Sequence, residues 1–342
     1  MVVGESAGYT KSAVIAALAA ALASSVALPA PTLAGENEGA SIETQIVDAL
    51  NKRYGVYPGY RANHAKGIVT QGTFKAAPEA GSLSRSPLFT GTAIPVTVRF
   101  SDGGGQPDVP DAAPAANPHG ISIKFHLPNG GESDMVLNSF KFFPVGTAED
   151  FRDLQLAAAA SPPGSRRPTR LEAFLSRHPS VARANATLGT PDSFADEEYY
   201  GIDAFVFVDR AGQKQPVRYI VSPEHVVHLS KVEASGKSPN YLFSELPIRL
   251  KKGPVTFRVK AQLAAAGDQT KDATQPWPDD RKVVDLGVLT IDNVVADSAD
   301  AQRKLLFLPG NLTEGIEPSD DPLIAARDGA YPVSFGRRSE GP

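Results

Sequence analysis

Hydrophobic and polar residues along this chain follow two periods, and each period predicts a different kind of element. In residues 41–54 (SIETQIVDALNKRY), Ile42, Ile46, Val47 and Leu50 recur at helical spacing, so a short amphipathic helix is expected there. Residues 94–101 (IPVTVRFS) alternate instead, which predicts a half-buried strand broken at Asp102-Gly-Gly-Gly105. Segments 118–125 and 134–138 flank the turn Pro128-Asn-Gly-Gly131 and predict a hairpin. A second hairpin is expected from 200–209 and 216–221, turning at 210–213, and a third strand pair from 254–263 and 283–292. Such a chain carries roughly eight strands in meandering sets, and an antiparallel barrel closed on itself accommodates them without leaving edges. Thr147 is placed to cap an alanine-rich helix running to Ala160, and helical patches follow at 170–188 and 192–198. A last helix is expected over 321–331, with Pro332 ending it soon after.

These elements make the expected fold class α+β, mainly β: an eight-stranded antiparallel β-barrel with flanking helices. Composition agrees, because 29 prolines and 30 glycines in 342 residues suit a turn-rich chain better than a helical bundle. A net charge of -4 gives no electrostatic reason to expect a nucleic-acid partner. The absence of cysteine excludes disulfides, zinc-thiolate sites, iron-sulfur clusters and a thiolate-ligated haem, so any redox chemistry must come from a bound cofactor.

Residues 1–34 stand apart from the rest. Lys11 precedes an apolar run over 12–28 (SAVIAALAAALASSVAL), and small residues and prolines follow to Ala34. That order reads as a secretory signal, with cleavage after Ala30 or Ala34, and predicts an exported, periplasmic protein with one domain over 35–342. The other reading is a retained anchor, for which the run is short against about 30 Å of hydrocarbon. If the signal is removed, no stable membrane partner is expected.

Candidate chemistry gathers near the end of the chain, in Arg327-Asp-Gly-Ala-Tyr-Pro-Val-Ser-Phe-Gly-Arg-Arg338. On a helix, Arg327 and Tyr331 lie one turn apart on a shared face. A phenol ordinarily ionises near about pH 10, and both a guanidinium neighbour and a ferric ion favour its anion. Tyr331 is therefore a candidate axial iron ligand in a chain without cysteine. Arg338 is then free to pair with a porphyrin propionate. His225 and His228 lack a third ligand and read as solvent-facing or capping residues.

The spacing Arg-x3-Tyr-Pro with an arginine seven residues after the tyrosine resembles the proximal motif of the haem catalases. Arg61-Ala-Asn-His64-Ala-Lys-Gly67 resembles their distal motif, and Arg99, Ser101, Asn138, Phe151 and Trp277-Pro278 follow in the family's order. Within that family the chain is similar to the short catalase-related peroxidases, whose barrel lacks an extra C-terminal domain. The resemblance implies a bound iron protoporphyrin, haem b, with Tyr331 as the metal ligand and Arg327 beside it. It implies Arg61, Arg99 and Arg338 at the propionates and Phe151 against the ring. It further implies His64 and Asn138 as catalytic residues, Ser101 holding the histidine, and turnover through a ferryl porphyrin. The implied activity is reduction of hydrogen peroxide or organic hydroperoxides by small organic reductants, with weak catalase activity, in a monomer or small homo-oligomer. Two departures are visible: His119 replaces an arginine, and Asn63 replaces an apolar residue. Alternatives are rearrangement of lipid hydroperoxides, as in allene oxide synthase, and a non-catalytic exported barrel that binds a small ligand.

Overall fold

The computed structural model describes residues 39–339, so the expected signal over 1–34 lies outside the described residues. Ten strands form one sheet: β1 (Gly67–Ala76), β2 (Ile94–Ser101), β3 (Gly120–His126), β4 (Glu132–Asn138), β5 (Tyr199–Tyr200), β6 (Phe205–Val208), β7 (Lys214–Pro223), β8 (Val255–Leu263), β9 (Val283–Val294) and β10 (Ile316–Pro318). β5 and β6 both pair with β7 and act as one strand interrupted at 201–204. With those two counted together, eight antiparallel strands close into a ring, because β7 pairs with β8 and β9 returns to β1. β10 adds to the outside of β6. The expected barrel is present, and β1, which the period-two pattern did not reveal, supplies its eighth strand.

The strand alternation decides which face is core. Ile94, Val96, Val98 and Phe100 of β2 point into one apolar cluster with Ile121, Ile123 and Phe125 of β3 and Met135 and Leu137 of β4. Side chains of the other parity, Arg99, Ser101, Ser122, Val136 and Asn138, therefore face outward from the barrel. Each fully buried phenylalanine or isoleucine inside contributes roughly 1.5–3 kcal/mol, so the interior is a stabilising core. The outer face of β1 to β4 is what remains for a site.

Helices cover that face. α1 (Ile42–Tyr54) begins at the N-cap Ser41, and α2 (Ala80–Leu83) is a single turn. α3 (Ala148–Ala159) is capped by Thr147, whose hydroxyl accepts from the Asp150 amide at 3.0 Å. α4 (Arg170–Arg177) carries a capping box between Thr169 and Glu172, and α5 (Pro179–Asn185) follows directly. α6 (Lys231–Ser235), α7 (Tyr241–Lys252) and α8 (Ser298–Lys304) complete the helices before α9 (Pro322–Ser339). α1, α3 and α9 meet in a second apolar cluster built from Ile46, Val47, Leu50, Phe151, Ala330 and Tyr331. Among the described residues no helix is long and apolar enough to cross a membrane.

Two expectations are corrected. The helix at the end of the chain does not stop near Pro332 but runs through it to Ser339. A proline removes one backbone hydrogen bond, and here Ala330, Tyr331 and Val333 hold the helix on both sides of it by packing against α1. Residues 192–198 are not an α-helix: only Phe194–Asp196 form a 3-10 turn, and β5 begins at Tyr199. Ser193 caps that turn through the Ala195 amide at 3.1 Å, and fully buried Phe194 anchors it in the barrel core.

Candidate active site

Sheet register places the distal residues in one row. Gly67 pairs with Ser101, Ser101 with Gly120, Gly120 with Asn138, and Asn138 with Tyr200, all at one end of the barrel. His64 lies just before β1 and turns back over this row. Its φ of 52° is the only positive value among the described non-glycine residues, a conformation that needs support from its surroundings. That support is visible: Arg99 Nη2 donates to the His64 carbonyl at 2.8 Å, and His64 Nδ1 lies 3.1 Å from Ser101 Oγ. Gly120 completes the seat, since a Cβ there would sit 2.8 Å from Ser101 Oγ and 3.1 Å from His64 Nδ1.

His64 keeps some accessible surface only because it lines a cavity. Burial, followed by the Arg99 charge, pushes its imidazole down to about 3, so it is neutral at physiological pH. Asn138 Oδ1 accepts from the Phe140 amide at 2.9 Å, which leaves the amide nitrogen as the donor available to the same cavity.

α9 supplies the other wall. Arg327 Nε donates to Tyr331 Oη at 2.9 Å, and its Nη1 is paired with Asp203, which is buried. The Asp203 carboxylate and the Tyr331 oxygen hold the Arg327 guanidinium firmly protonated despite its burial. Ser334 on the same helix accepts from the Ala62 amide at 3.2 Å, which ties α9 to the segment carrying His64.

The cavity between these walls measures about 460 Å³. His64, Ser101, Asn138, Arg61, Arg99, Phe151, Arg327, Tyr331 and Arg338 all line it, so the structure brings every candidate residue to one place. Arg61 donates to the carbonyls of Gln302 and Leu305 at 3.0 and 2.7 Å, and Arg338 donates to the Leu305 carbonyl at 2.7 Å. Arg99 reaches the Gln302 side chain at 3.1 Å. Among the described residues none of these three guanidiniums forms a salt bridge with a carboxylate, and Arg338 Nε is buried without a partner. Burial lowers all three, Arg99 to about 9 and Arg338 to about 10, and the Arg338 charge adds to the depression of both Arg99 and Arg61. Arg99 and Arg338 are buried and Arg61 is half-buried, and cations gathered in this way suit an anion.

Comparison with known proteins decides the family. The catalase family model matches residues 56–340 of this chain. A catalase-related peroxidase of Synechococcus elongatus is 34% identical over 329 residues, covering 95% of this chain and 96% of the relative. Another, from Mycolicibacterium paratuberculosis, is 36% identical over 300 residues, covering 86% and 94%.

The chain belongs to the catalase family.

A fungal catalase crystal structure superposes with a TM-score of 0.73 at 21% identity, over 82% of this chain and 59% of the fungal one, and so shares the fold. Catalases generally bind haem, and the residues here fit that group. A phenol with its arginine and an imidazole line one cavity, and the three unpaired guanidiniums at its edge suit two propionates. Among the described residues no set of three or more His, Asp or Glu side chains could hold a metal ion by itself.

Sequence reading missed three contributors. Asp203 reaches Arg327 across 124 positions of sequence, and Gln302 receives Arg99 across 203. Neither has a local motif. Gly120 is silent in sequence because its contribution is the space that a side chain would fill. His119 is fully buried with Nδ1 3.1 Å from Asp102 Oδ1. Trp277 is buried, donates to the Gln269 carbonyl at 2.7 Å and carries the Arg218 guanidinium on its ring. His228 is bonded to Glu197 at 3.1 Å, and His225 and His228 are both exposed, as their reading as solvent-facing residues expects.

Proposed function

We propose that this protein is a haem-dependent peroxidase that reduces hydrogen peroxide and organic hydroperoxides with small organic electron donors, catalase activity being a minor reaction. One observation carries the reading: a single cavity is lined by Tyr331 with Arg327, by His64 with Ser101, and by Asn138. Family membership and the names of the relatives support a peroxidase of the catalase family.

Tyr331 would hold the iron, Arg61, Arg99 and Arg338 would hold the propionates, and Phe151 would pack on the ring. Bound haem supplies the metal at which a peroxide O–O bond is cleaved and the oxidising equivalents that a donor then removes. The chain's own groups manage the proton. Neutral His64 accepts a proton from the near peroxide oxygen and returns it to the far one, so the far oxygen leaves as water or an alcohol. Ser101, next to Nδ1, keeps the opposite ring nitrogen turned to the cavity in one tautomer. Asn138 donates to the peroxide and holds it beside His64.

Exposed residues among the cavity lining, Arg53, Pro114, Ala115 and Asn185, support the reading that organic reductants reach the site. A ferric Soret band that changes on Tyr331→Phe is the expected result, with donor oxidation by peroxide in the purified protein. Colourless protein from haem-replete cells would overturn the haem reading. Oxygen evolution exceeding donor oxidation by orders of magnitude would overturn the peroxidase emphasis. Export to the periplasm is a separate proposal resting on the 1–34 pattern; fractionation and N-terminal sequencing of the mature protein test it.

A further inference from the structure

We infer that a second cavity, separate from the one described above but sharing Arg61 with it, is the docking site for a small anionic electron donor, a single-ring phenolic acid. This rests on the peroxidase reading above and adds a donor class to it.

This cavity measures about 210 Å³, below the roughly 300–1,000 Å³ of pockets that take drug-sized ligands, so it suits one ring and its substituents. One wall is the turn Tyr57-Pro58-Gly59-Tyr60. The Tyr60 amide donates to the Tyr57 carbonyl at 3.0 Å, and Gly59 has a φ of 78°. Proline followed by a left-handed glycine is the pattern of a type II turn, and it presents Tyr60, 46% exposed, to the cavity. The other wall is α8, from which Ala299, Gln302 and Arg303 line the space. Ser298 Oγ accepts from the Val69 amide at 2.8 Å, and Arg61 donates to the Gln302 and Leu305 carbonyls. The helix is thereby fastened both to β1 and to the segment that leads into His64.

The polar groups on these walls are donors. Arg303 comes no nearer than 4.0 Å to Asp300, whose other oxygen is held by Lys304 at 2.6 Å, so its guanidinium is only loosely engaged. Gln302 Oε1 accepts from Arg99 at 3.1 Å, which leaves its amide nitrogen as the donor available to this cavity. Among the described residues lining it there is no aspartate or glutamate. A cation, an amide donor and an exposed aromatic ring are together complementary to a carboxylate carried on a ring. Arg61 lines both cavities, so a donor held here is one side chain away from the propionate edge of the larger one. Uncharged donors gain nothing from Arg303 and reach the larger cavity directly. Each donor hydroxyl gives one electron to the oxidised cofactor and its proton to solvent, leaving a phenoxyl radical. Two donors and one hydroperoxide thus yield one alcohol, one water and two radicals, and with hydrogen peroxide the alcohol is a second water.

The test uses the full-length haem-loaded protein, with para-hydroxybenzoate as the anionic donor and para-cresol as the uncharged one. Calorimetric titration of the resting protein with para-hydroxybenzoate, without peroxide, reads binding apart from turnover. Arg303→Gln should weaken that binding and raise KM for para-hydroxybenzoate on the order of tenfold, with para-cresol oxidation unchanged. Arg303→Lys, which keeps the charge, should recover part of both. Ala299→Trp fills the cavity and should lower binding and kcat/KM for the acid tenfold or more, while KM for hydrogen peroxide holds. Binding that is the same in wild type, Arg303→Gln and Ala299→Trp, or an equal loss of turnover for both donors, overturns this inference. If the Soret band and para-cresol oxidation persist in that case, the peroxidase reading stands; if they are absent, that reading has failed as well. Arg303-dependent binding in a protein without peroxide turnover would keep the anion site and remove its role as a donor site.

Discussion

Arg327 and Tyr331 lie one helical turn apart on α9 and are joined by a 2.9 Å hydrogen bond from Nε to the phenol oxygen, while Asp203 grips the other side of the guanidinium. The phenol is thereby aimed by a group that is itself fixed from a neighbouring strand connection. Asp203 is 2% exposed and Arg327 13%, so removing the carboxylate leaves a charge buried without compensation. Asp203→Ala is expected to cost about 3–5 kcal/mol of stability in urea unfolding. The ferric spectrum should shift too, since Arg327 becomes free to rotate away from Tyr331. Wild-type stability and an unchanged spectrum would remove Asp203 from this arrangement.

The three guanidiniums at the cavity edge give a prediction whose sign differs with and without haem. Arg338 depresses the protonation of both Arg99 and Arg61, so in haem-free protein it opposes folding electrostatically. Arg338→Gln should leave haem-free protein as stable as wild type or more so. Haem retention should fall on the order of tenfold, because one charge-assisted contact of about 1.5–3 kcal/mol is lost. Haem transfer to apomyoglobin measures the second quantity and urea titration of haem-free protein the first. A loss of stability in the haem-free protein would mean that Arg338 is a structural residue.

Much of this arrangement was legible in the sequence because its signals are local. Arg327, Tyr331 and Arg338 share one helix, and His64 sits in a short contiguous motif. Ser101 and Asn138 end strands whose alternation is plain, and the register then sets them in one row. β1 was hidden because Val69 and Thr70 are both buried, under α8 and the neighbouring strands, so no clean alternation survives. The continuation of α9 through Pro332 was hidden because propensity reports the missing hydrogen bond and not the packing that replaces it. Nothing in the sequence placed the cavity on the outer face of the barrel. That followed only when Phe100 and Ile121 were seen to fill the interior and Arg99 and Ser122 to face away.

Burial holds His64 neutral, with consequences for stability as well as turnover. Its folded-state value of about 3 lies below the unfolded value of about 6.5, so between those pH values the unfolded chain binds a proton that the folded protein does not. Stability contributed at this position is therefore lost as pH falls from about 6.5 toward 3, and is constant above that window. His64→Gln cannot take up this proton. Urea midpoints of wild type and His64→Gln should diverge on acidification from pH 7 to pH 4, with wild type losing more. Parallel curves would show that His64 is protonated in the folded protein. The same variant should keep haem and lose most peroxide reactivity.

Gly120 offers the narrowest test of how His64 is seated. A methyl group there would meet Ser101 Oγ at 2.8 Å and His64 Nδ1 at 3.1 Å, the two atoms whose separation fixes the imidazole. One of them must move, and the flexible one is the histidine ring, since Ser101 is locked in the β2–β3 register. Gly120→Ala should therefore retain the Soret band and fold with a stability loss within about 1–3 kcal/mol, the usual range for overpacking. Peroxide turnover should fall tenfold or more, because misplacing a proton-transfer group by about 1 Å costs on the order of a hundredfold. The Ser101→Ala change relieves the crowding, and so the Gly120→Ala/Ser101→Ala pair should lose less activity than the product of the two single changes. Stopped-flow reduction of peroxide by the four proteins measures that coupling. Independent effects would show that the serine hydroxyl and the histidine do not share this space.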